Sequence, residues 1–274
     1  MSWTEITRRQ YRRDHLVYAS DTTDLEWCLL SFFLPGPCRV GRPREVDLRA
    51  VMNAILYILA TGCQWRALPK NFPPRSTVQY YFYTWRDQCI WRRINLALVK
   101  RARVAVGRNA VPSAGVIDSQ SVKTTESGGP RGFDAAKRVK GRKRHLVTDT
   151  QGLPLALLVH PANIQDSHGA VPLLAALRRA FPKLRHIFAD RVYRGDQLRN
   201  AIAAFGSWTI EIVTRSEHIG TFKPEPKRWL IERTFAWLGR NRRLAKDFEA
   251  TIPSAHAWCL IASVCLLSRR LARA

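Results

Sequence analysis

The sequence has 274 residues, 46% of them hydrophobic, which is enough to bury the core of one large domain or two modest ones. Its 45 Lys and Arg residues against 21 Asp and Glu residues give a formal net charge of +24, which indicates a polyanionic partner, first of all nucleic acid. We expect no membrane span, because no apolar stretch reaches roughly 20 residues, and no signal peptide, so the predicted location is the cytoplasm.

The first part of the chain has the apolar spacing of helices. Three are predicted: one capped by Thr23 or Asp24 and ended by Pro35, one over residues 48–61, and one over residues 76–105. Three helices joined by short turns are typical of a helix-turn-helix unit that reads DNA. We therefore predict a small all-α DNA-binding domain over residues 1–106.

Two short stretches in this part allow two interpretations each. The cationic stretch Gly41-Arg42-Pro43-Arg44 suits the minor groove of A·T-rich DNA, although a basic linker between helices is the commoner meaning. Trp65 beside Arg66 suits stacking on bases, but a tryptophan at the end of a helix more often belongs to the core.

Beyond a polar break near residue 107, the pattern alternates strands and helices. Short strands are predicted at 115–118, on both sides of a turn at 150–152, at 186–190 and at 209–213, with a helix capped by Asp166 or Ser167 between them. Two long helices end the chain. This order predicts an α/β domain over residues 107–274, a mixed sheet flanked by helices.

Two of these strands end on an acid. Asp118 follows the run Val-Ile, and Asp190 follows Ile-Phe-Ala. Two carboxylates brought together at strand ends repel each other unless they are protonated or bridged by a cation, and Mg²⁺ prefers such hard oxygen ligands. Glu232, on the helix that starts near residue 227, supplies a third acid. Its alternative role is a surface ion pair with Arg228 at i,i+4.

The densest positive charge of the chain lies between the first two acids, at residues 137–146. A charge run of this kind is often a solvated loop, but here it leads into a strand of the same sheet, which favours contact with a DNA backbone. The six cysteines have no zinc-binding spacing, and we expect them to be reduced and mostly buried.

These linked motifs resemble the DDE transposases of bacterial insertion sequences, which have a ribonuclease-H-like catalytic domain after a small helical domain. The segments that carry the resemblance are "IDSQSVKT", "VKGRKRHLVTDTQGLPLALLVHPANIQD", "FADRVYRGD" and "RWLIERTFAWLGRNRRLAKDFE". The N-terminal stretch from "GRPREVD" to "YFYTW" resembles the helical domain, so the likeness covers nearly the whole chain. The sequence departs from the family pattern at Glu225, where a Tyr is common, and at Arg191, where a small residue is usual.

The resemblance implies a catalytic and metal-binding triad of Asp118, Asp190 and Glu232, with Mg²⁺ as cofactor and Mn²⁺ as its substitute. It also implies cleavage of DNA at the ends of the element and transfer of the 3′-hydroxyl into target DNA, in a paired-end homodimer near the bacterial nucleoid. The residues expected to contact DNA are Arg42, Arg44, Lys123, Lys137, Arg138, Lys140, Arg142, Lys143, Arg144, Arg228 and Arg240.

Two other functions compete with this interpretation. A stand-alone metal-dependent nuclease would share the three acids but would cut DNA without joining it. A non-catalytic DNA-binding protein would bind specific ends and be indifferent to magnesium.

Overall fold

The computed structural model describes residues 4–6, 11–36, 43–126, 128–213 and 228–273. Arg42, Cys38 and Glu225 lie outside these ranges. The α-helices are α1 (Asp24–Ser31), α2 (Leu48–Thr61), α3 (Arg75–Asp87), α4 (Ile90–Ala105), α5 (Asp166–Ala180), α6 (Asp196–Ala203), α7 (Arg228–Gly239) and α8 (Ile252–Leu271). The strands are β1 (Ala114–Lys123), β2 (Gly132–Asp134), β3 (Val139–Asp149), β4 (Pro154–Pro161), β5 (His186–Ala189) and β6 (Thr209–Ile212).

The helical start of the chain follows most of its local sequence signals. Thr23 caps α1, as one of the two predicted caps, and Glu26 closes a capping box with it. The prediction that Pro35 ends this helix is wrong, because α1 stops one turn earlier. α2 ends at Gly62, whose φ of 71° lies in the left-handed region that glycine adopts readily. The predicted third helix is wrong in one respect: it is two helices, α3 and α4, separated by Gln88 and by Cys89 at a φ of 54°.

The helical region and the sheet share one hydrophobic core. Phe82 of α3 stacks on Trp258 of α8 with ring centroids 4.7 Å apart. Trp65 packs against the same two rings at 5.4 and 5.9 Å, which confirms its interpretation as a core residue. On the sheet side, the Asn95 amide of α4 donates a hydrogen bond to the Pro154 carbonyl at 3.1 Å. The predicted boundary near residue 106 therefore separates two parts that pack on each other.

The sheet is mixed, as predicted. Its strand order is β2-β3-β1-β5-β6. β4 also pairs with β3, over residues 142–148, along the edge of β3 that faces away from β1. β1 lies antiparallel to β3 and parallel to β5, which in turn is parallel to β6. The prediction that the first strand stops at Asp118 is wrong, because β1 continues to Lys123 along its pairing with β3.

Two further expectations need correction. The premise that no apolar stretch reaches roughly 20 residues is wrong for α8, which is long and apolar enough to pass for a membrane span, but 72% of that stretch is buried inside the fold, which is typical of a core helix. Cys28 and Cys89 are exposed, whereas Cys259 and Cys265 are buried, so the cysteines are free but not mostly buried among the described residues.

Candidate active site

The parallel pairing of β1 and β5 brings two of the predicted acids together. Val116 of β1 lies opposite Phe188 of β5 in the register, and Asp118 and Asp190 each follow two residues later in the sequence. Local hydrogen bonds orient both carboxylates: Asp118 accepts from the Ser119 amide at 2.7 Å, and Asp190 accepts from the Val192 amide at 3.0 Å. The second bond caps a 3₁₀ turn, which holds Asp190 at the end of β5.

The surroundings of Asp118 disfavour its negative charge. Burial raises the pKa of Asp118 to about 6, the neighbouring charge of Asp190 raises it as well, and Lys137 and Arg228 oppose the rise. The small pocket beside the two acids has a volume of about 10 Å³, close to the minimum for one water molecule. Its other walls are mostly apolar, and Arg228 closes one side.

Helix α7 lies over this pair of acids. Its buried face includes Ile231, which lines the same pocket. The Thr234 hydroxyl donates a hydrogen bond to the Gly152 carbonyl at 2.8 Å, which fixes α7 to the β3–β4 turn. The first turn of the helix thereby places Arg228 next to both aspartates, whose charges raise the pKa of its guanidinium against the effect of burial.

Glu232 faces Arg228 in this structure. The Arg228 Nε donates to the Glu232 Oε1 at 3.0 Å, and the Glu232 side chain is 55% exposed. The i,i+4 ion pair considered from the sequence is therefore present. The structure brings Asp118 and Asp190 together but does not bring Glu232 into the same group, since the described ranges contain no cluster of three or more Asp, Glu, His or Cys side chains arranged around a metal position.

The carboxylate oxygens of the two aspartates are ligands of the kind that Mg²⁺ prefers. Mg²⁺ commonly takes one or two carboxylates and completes its shell with water and phosphate oxygens. A cation between the two carboxylates would offset both the burial of Asp118 and its repulsion by Asp190.

Three of the predicted DNA contacts are wrong in this structure, because the side chains of Arg142, Lys143 and Arg144 are buried. Arg142 pairs with the Asp247 carboxylate at 2.9 Å, and Arg144 donates to the Leu244 carbonyl at 2.8 Å. The physical reason is that β3 lies between β1 and β4, so its side chains meet the helices and loops that cover the sheet.

The other predicted DNA contacts in the described residues are at least partly accessible to solvent. Lys137 donates to the Ser119 carbonyl at 2.9 Å, next to Asp118. Arg44 donates to the Pro35 carbonyl at 2.8 Å, and Arg42 lies outside the described residues. The exposed members are Arg44, Lys123, Lys137, Arg138, Lys140 and Arg240.

A buried polar network behind the acid pair was not expected from the sequence. Asp166 accepts hydrogen bonds from Ser119, the residue after Asp118, and from Lys143, both at 2.9 Å. The prediction that Asp166 or Ser167 caps α5 is wrong, because the helix begins at Asp166 after Gln165 and lacks a side-chain cap. In the sequence, an acid at the start of a helix looks like a helix cap. Only the tertiary structure, which places Lys143 of β3 next to Asp166, shows that this acid forms a buried ion pair instead.

The strand order and the paired acids define a ribonuclease-H-like α/β protein with an acidic site just beyond the parallel pairing of two neighbouring strands. Residues 109–267, more than half of the chain, match the family described as "Transposase DDE domain". The chain belongs to this transposase family. Residues 22–95 also match a family described as "Putative transposase of IS4/5 family".

Two curated relatives come from Burkholderia cepacia. The "Putative transposase for insertion sequence element IS402" is 35% identical over 144 residues, 49% of this chain. The "Insertion element IS402 uncharacterized 16.2 kDa protein" is 29% identical over 112 residues, which cover 37% of this chain and 72% of the relative. The match to the first relative spans 64% of that protein's length.

Proposed function

We propose that this protein is an insertion-sequence transposase that cleaves DNA at the ends of its element and joins the resulting 3′-hydroxyl to target DNA. The observation that carries the proposal is the meeting of Asp118 and Asp190 beneath α7, just beyond the point where the parallel pairing of β1 and β5 ends. Acids at this place in an open α/β sheet suit phosphodiester chemistry. Membership of the transposase family supports the same conclusion.

The proposed site divides its tasks among a few side chains. Asp118 and Asp190 would hold Mg²⁺, with Mn²⁺ as a substitute, and Glu232 would complete the ligand set after leaving Arg228. When bound, the metal acts as a Lewis acid on phosphate oxygens and lowers the pKa of water. Arg228, freed from Glu232, would contact the phosphate next to the acids.

The remaining proposals concern DNA and assembly. The helical region over residues 1–106 would recognise the terminal inverted repeats, and residues 107–274 would carry the chemistry. The exposed cations Lys123, Lys137, Arg138 and Lys140 would contact the DNA backbone. Two ends brought together would favour a homodimer, acting at the nucleoid in the cytoplasm.

The test is a cleavage and strand-transfer assay on a labelled duplex that carries the element end, with and without Mg²⁺. We expect metal-dependent cleavage and joining, reduced by at least a hundredfold in Asp118→Asn, because this change removes a charged ligand. Asp196→Asn is the matched control, since Asp196 is an exposed acid in an i,i+3 pair with Arg199 on α6. A loss of less than a hundredfold in Asp118→Asn would contradict the proposal.

Two further outcomes distinguish the alternatives. Cleavage without joining would show a nuclease, and binding without cleavage at any magnesium concentration would show a DNA-binding protein. Glu232→Gln tests the third acid separately. Full activity in that variant would remove Glu232 from the ligand set and leave the assignment of the two aspartates intact.

A further inference from the structure

A second basic surface lies on another face of α7. It is a cleft of about 570 Å³ between α7, the β3–β4 turn and the end of α8, with Tyr11 at its edge. Five arginines line it, and its lining in the described residues contains no Asp or Glu. We call this surface the arginine cleft. The arginines are Arg233, Arg240, Arg269, Arg270 and Arg273.

Protein groups satisfy only part of this charge. Arg233 donates to the Gln151 carbonyl at 3.1 Å, and Arg269 donates to the Ala19 carbonyl at 3.2 Å. Within the described residues, Arg240, Arg270 and Arg273 have no ion pair with a carboxylate. The negative end of the α8 dipole supplies only about half a charge. The cleft therefore holds several positive charges that its surroundings do not neutralise.

The nearest acid does not change this conclusion. Glu26 lies within electrostatic reach of Arg273, but Arg13 binds both of its carboxylate oxygens at 2.8 Å. Burial and the neighbouring Arg270 charge lower the pKa of Arg233. This repulsion between guanidinium groups would be relieved by an anion.

The aromatic rings give the arginines a fixed platform. Arg233 lies over the Trp237 ring at 4.5 Å and over the Trp229 ring at 4.3 Å. Arg273 lies over the Tyr11 ring at 4.3 Å. Stacking of this kind holds a guanidinium in place while leaving its N–H groups for a further ligand.

The spacing of the cations suits a row of phosphates. Arg233 lies on α7, and Arg240 directly follows the last residue of that helix, its amide still bonded to the Ala236 carbonyl. Seven residues at the helical rise correspond to about 10 Å along the helix axis. That distance is about three nucleotide steps of a DNA strand at 3.4 Å each. A single small anion would reach only part of the cleft.

We propose that the arginine cleft binds the phosphate backbone of a second stretch of double-stranded DNA, outside the strand that is cleaved. The inference rests on the proposed function to the extent that DNA is the substrate. Glu232 and Arg233 are adjacent on α7, so one helix would contact the reacting strand on one face and flanking or target duplex on another. Binding there is independent of base sequence, because arginines and phosphates carry the contact.

The experiment measures binding of a 30-base-pair duplex of arbitrary sequence by fluorescence anisotropy, at several salt concentrations without divalent metal. The protein carries Asp118→Asn throughout, so that binding is separated from cleavage. The cleft variant is the triple change Arg240→Ala, Arg270→Ala and Arg273→Ala. The control variant removes the same charge from exposed positions outside the cleft and outside the proposed DNA contacts, Arg179→Ala, Lys183→Ala and Arg185→Ala.

We expect the cleft variant to bind at least tenfold more weakly at about 0.15 M salt and to lower the slope of log affinity against log salt by about 2 to 3, because each lost phosphate contact contributes about 0.9. The control variant should change this slope by less than about 0.9, the contribution of one phosphate contact. Lysines at the same three cleft positions should restore most of the slope, which a folding defect would not do.

Three results would overturn the inference: equal effects in the cleft and control variants, no effect in either variant, or an effect confined to a single-stranded oligonucleotide of the same length. The binding result does not depend on cleavage. Cleavage is measured separately, on protein with the native Asp118. Weaker duplex binding by the cleft variant, combined with no metal-dependent cleavage by the wild type, would contradict the proposed function alone. Active cleavage by the wild type, combined with unaltered binding by the cleft variant, would contradict the arginine cleft alone.

Discussion

The basic run on β3 and the arginine cleft contain the same residue types in opposite situations. On β3, Arg142, Lys143 and Arg144 are buried, and acids or carbonyl groups of the fold bind each of them. In the arginine cleft, Arg240, Arg270 and Arg273 have rings and other arginines as neighbours. Charge density along the chain therefore does not identify a binding surface. What matters is whether the fold supplies the opposite charge.

The acid pair between β1 and β5 is the negative counterpart of the arginine cleft. Asp118 and Asp190 lie close enough for their charges to interact, and burial opposes ionisation of Asp118. Unmatched charge of either sign is expected to serve ligands, whereas matched charge such as that of Arg142 and Asp247 is expected to serve stability. The following four changes test this division.

Asp190→Asn should have the largest effect. We expect DNA cleavage to fall by more than a thousandfold, which corresponds to about 4 kcal/mol. The free energy of unfolding without metal should not fall, because the change removes repulsion from Asp118. Cleavage rates and urea unfolding of the same preparation measure both quantities. A variant that loses stability and activity together would show that the aspartate is structural.

Arg142→Ala should lower stability, in contrast to Asp190→Asn, which should lower activity. It leaves the Asp247 carboxylate buried and unpaired, so we expect the free energy of unfolding to fall by about 3 to 5 kcal/mol. Urea unfolding at pH 7 measures the loss, and Lys140→Ala is the control, since Lys140 is exposed on the same strand. Weaker DNA binding with an unchanged free energy of unfolding would show that Arg142 contacts DNA after all.

Asp166→Asn should lower stability by about 2 kcal/mol at pH 7, because Asp134, at 3.5 Å, is then the one carboxylate among the described residues that still pairs with Lys143. Burial acts to raise the pKa of Asp166, but His145 and Lys143 outweigh it and hold this pKa well below its ordinary value. A depressed carboxyl pKa stabilises the fold above the unfolded pKa near 4, and this contribution is lost as the pH falls below it.

The difference in stability between the wild type and Asp166→Asn should therefore be constant above about pH 5 and shrink at lower pH. Urea unfolding of both proteins at pH values from 3 to 8 measures this difference. A difference that grows toward acid pH would mean that the Lys143 contact does not govern the ionisation of Asp166.

Arg138→Gly should have the smallest effect. Arg138 has a φ of 52°, where a side chain is strained and glycine is not, so we expect a gain of about 0.5 to 1 kcal/mol in the free energy of unfolding. Arg138→Ala removes the same charge but keeps the strain, and it should bring no gain. Equal stability of the two variants would show that the backbone at this position is not the source of the effect.

Much of the fold could be predicted from the sequence because its signals are local. The capping box at Thr23, the glycine at the end of α2 and the turn between β3 and β4 involve residues within a few positions of one another. Local signals failed at Cys89, where apolar periodicity continues through a break between helices. They failed again at Asp118, because the end of an apolar run is not the end of a strand whose partner continues.

The candidate site divides in the same way. The sequence by itself determined that two acids follow apolar runs and that a third acid lies on a late helix, and its motifs indicated the family. Only the tertiary structure decided that Asp118 and Asp190 meet, that Arg228 holds Glu232, and that Arg142 is paired with an acid 105 residues away. The physical reason is that hydrophobic period and capping act over a few residues, whereas the free energy of a charge depends on its neighbours in space.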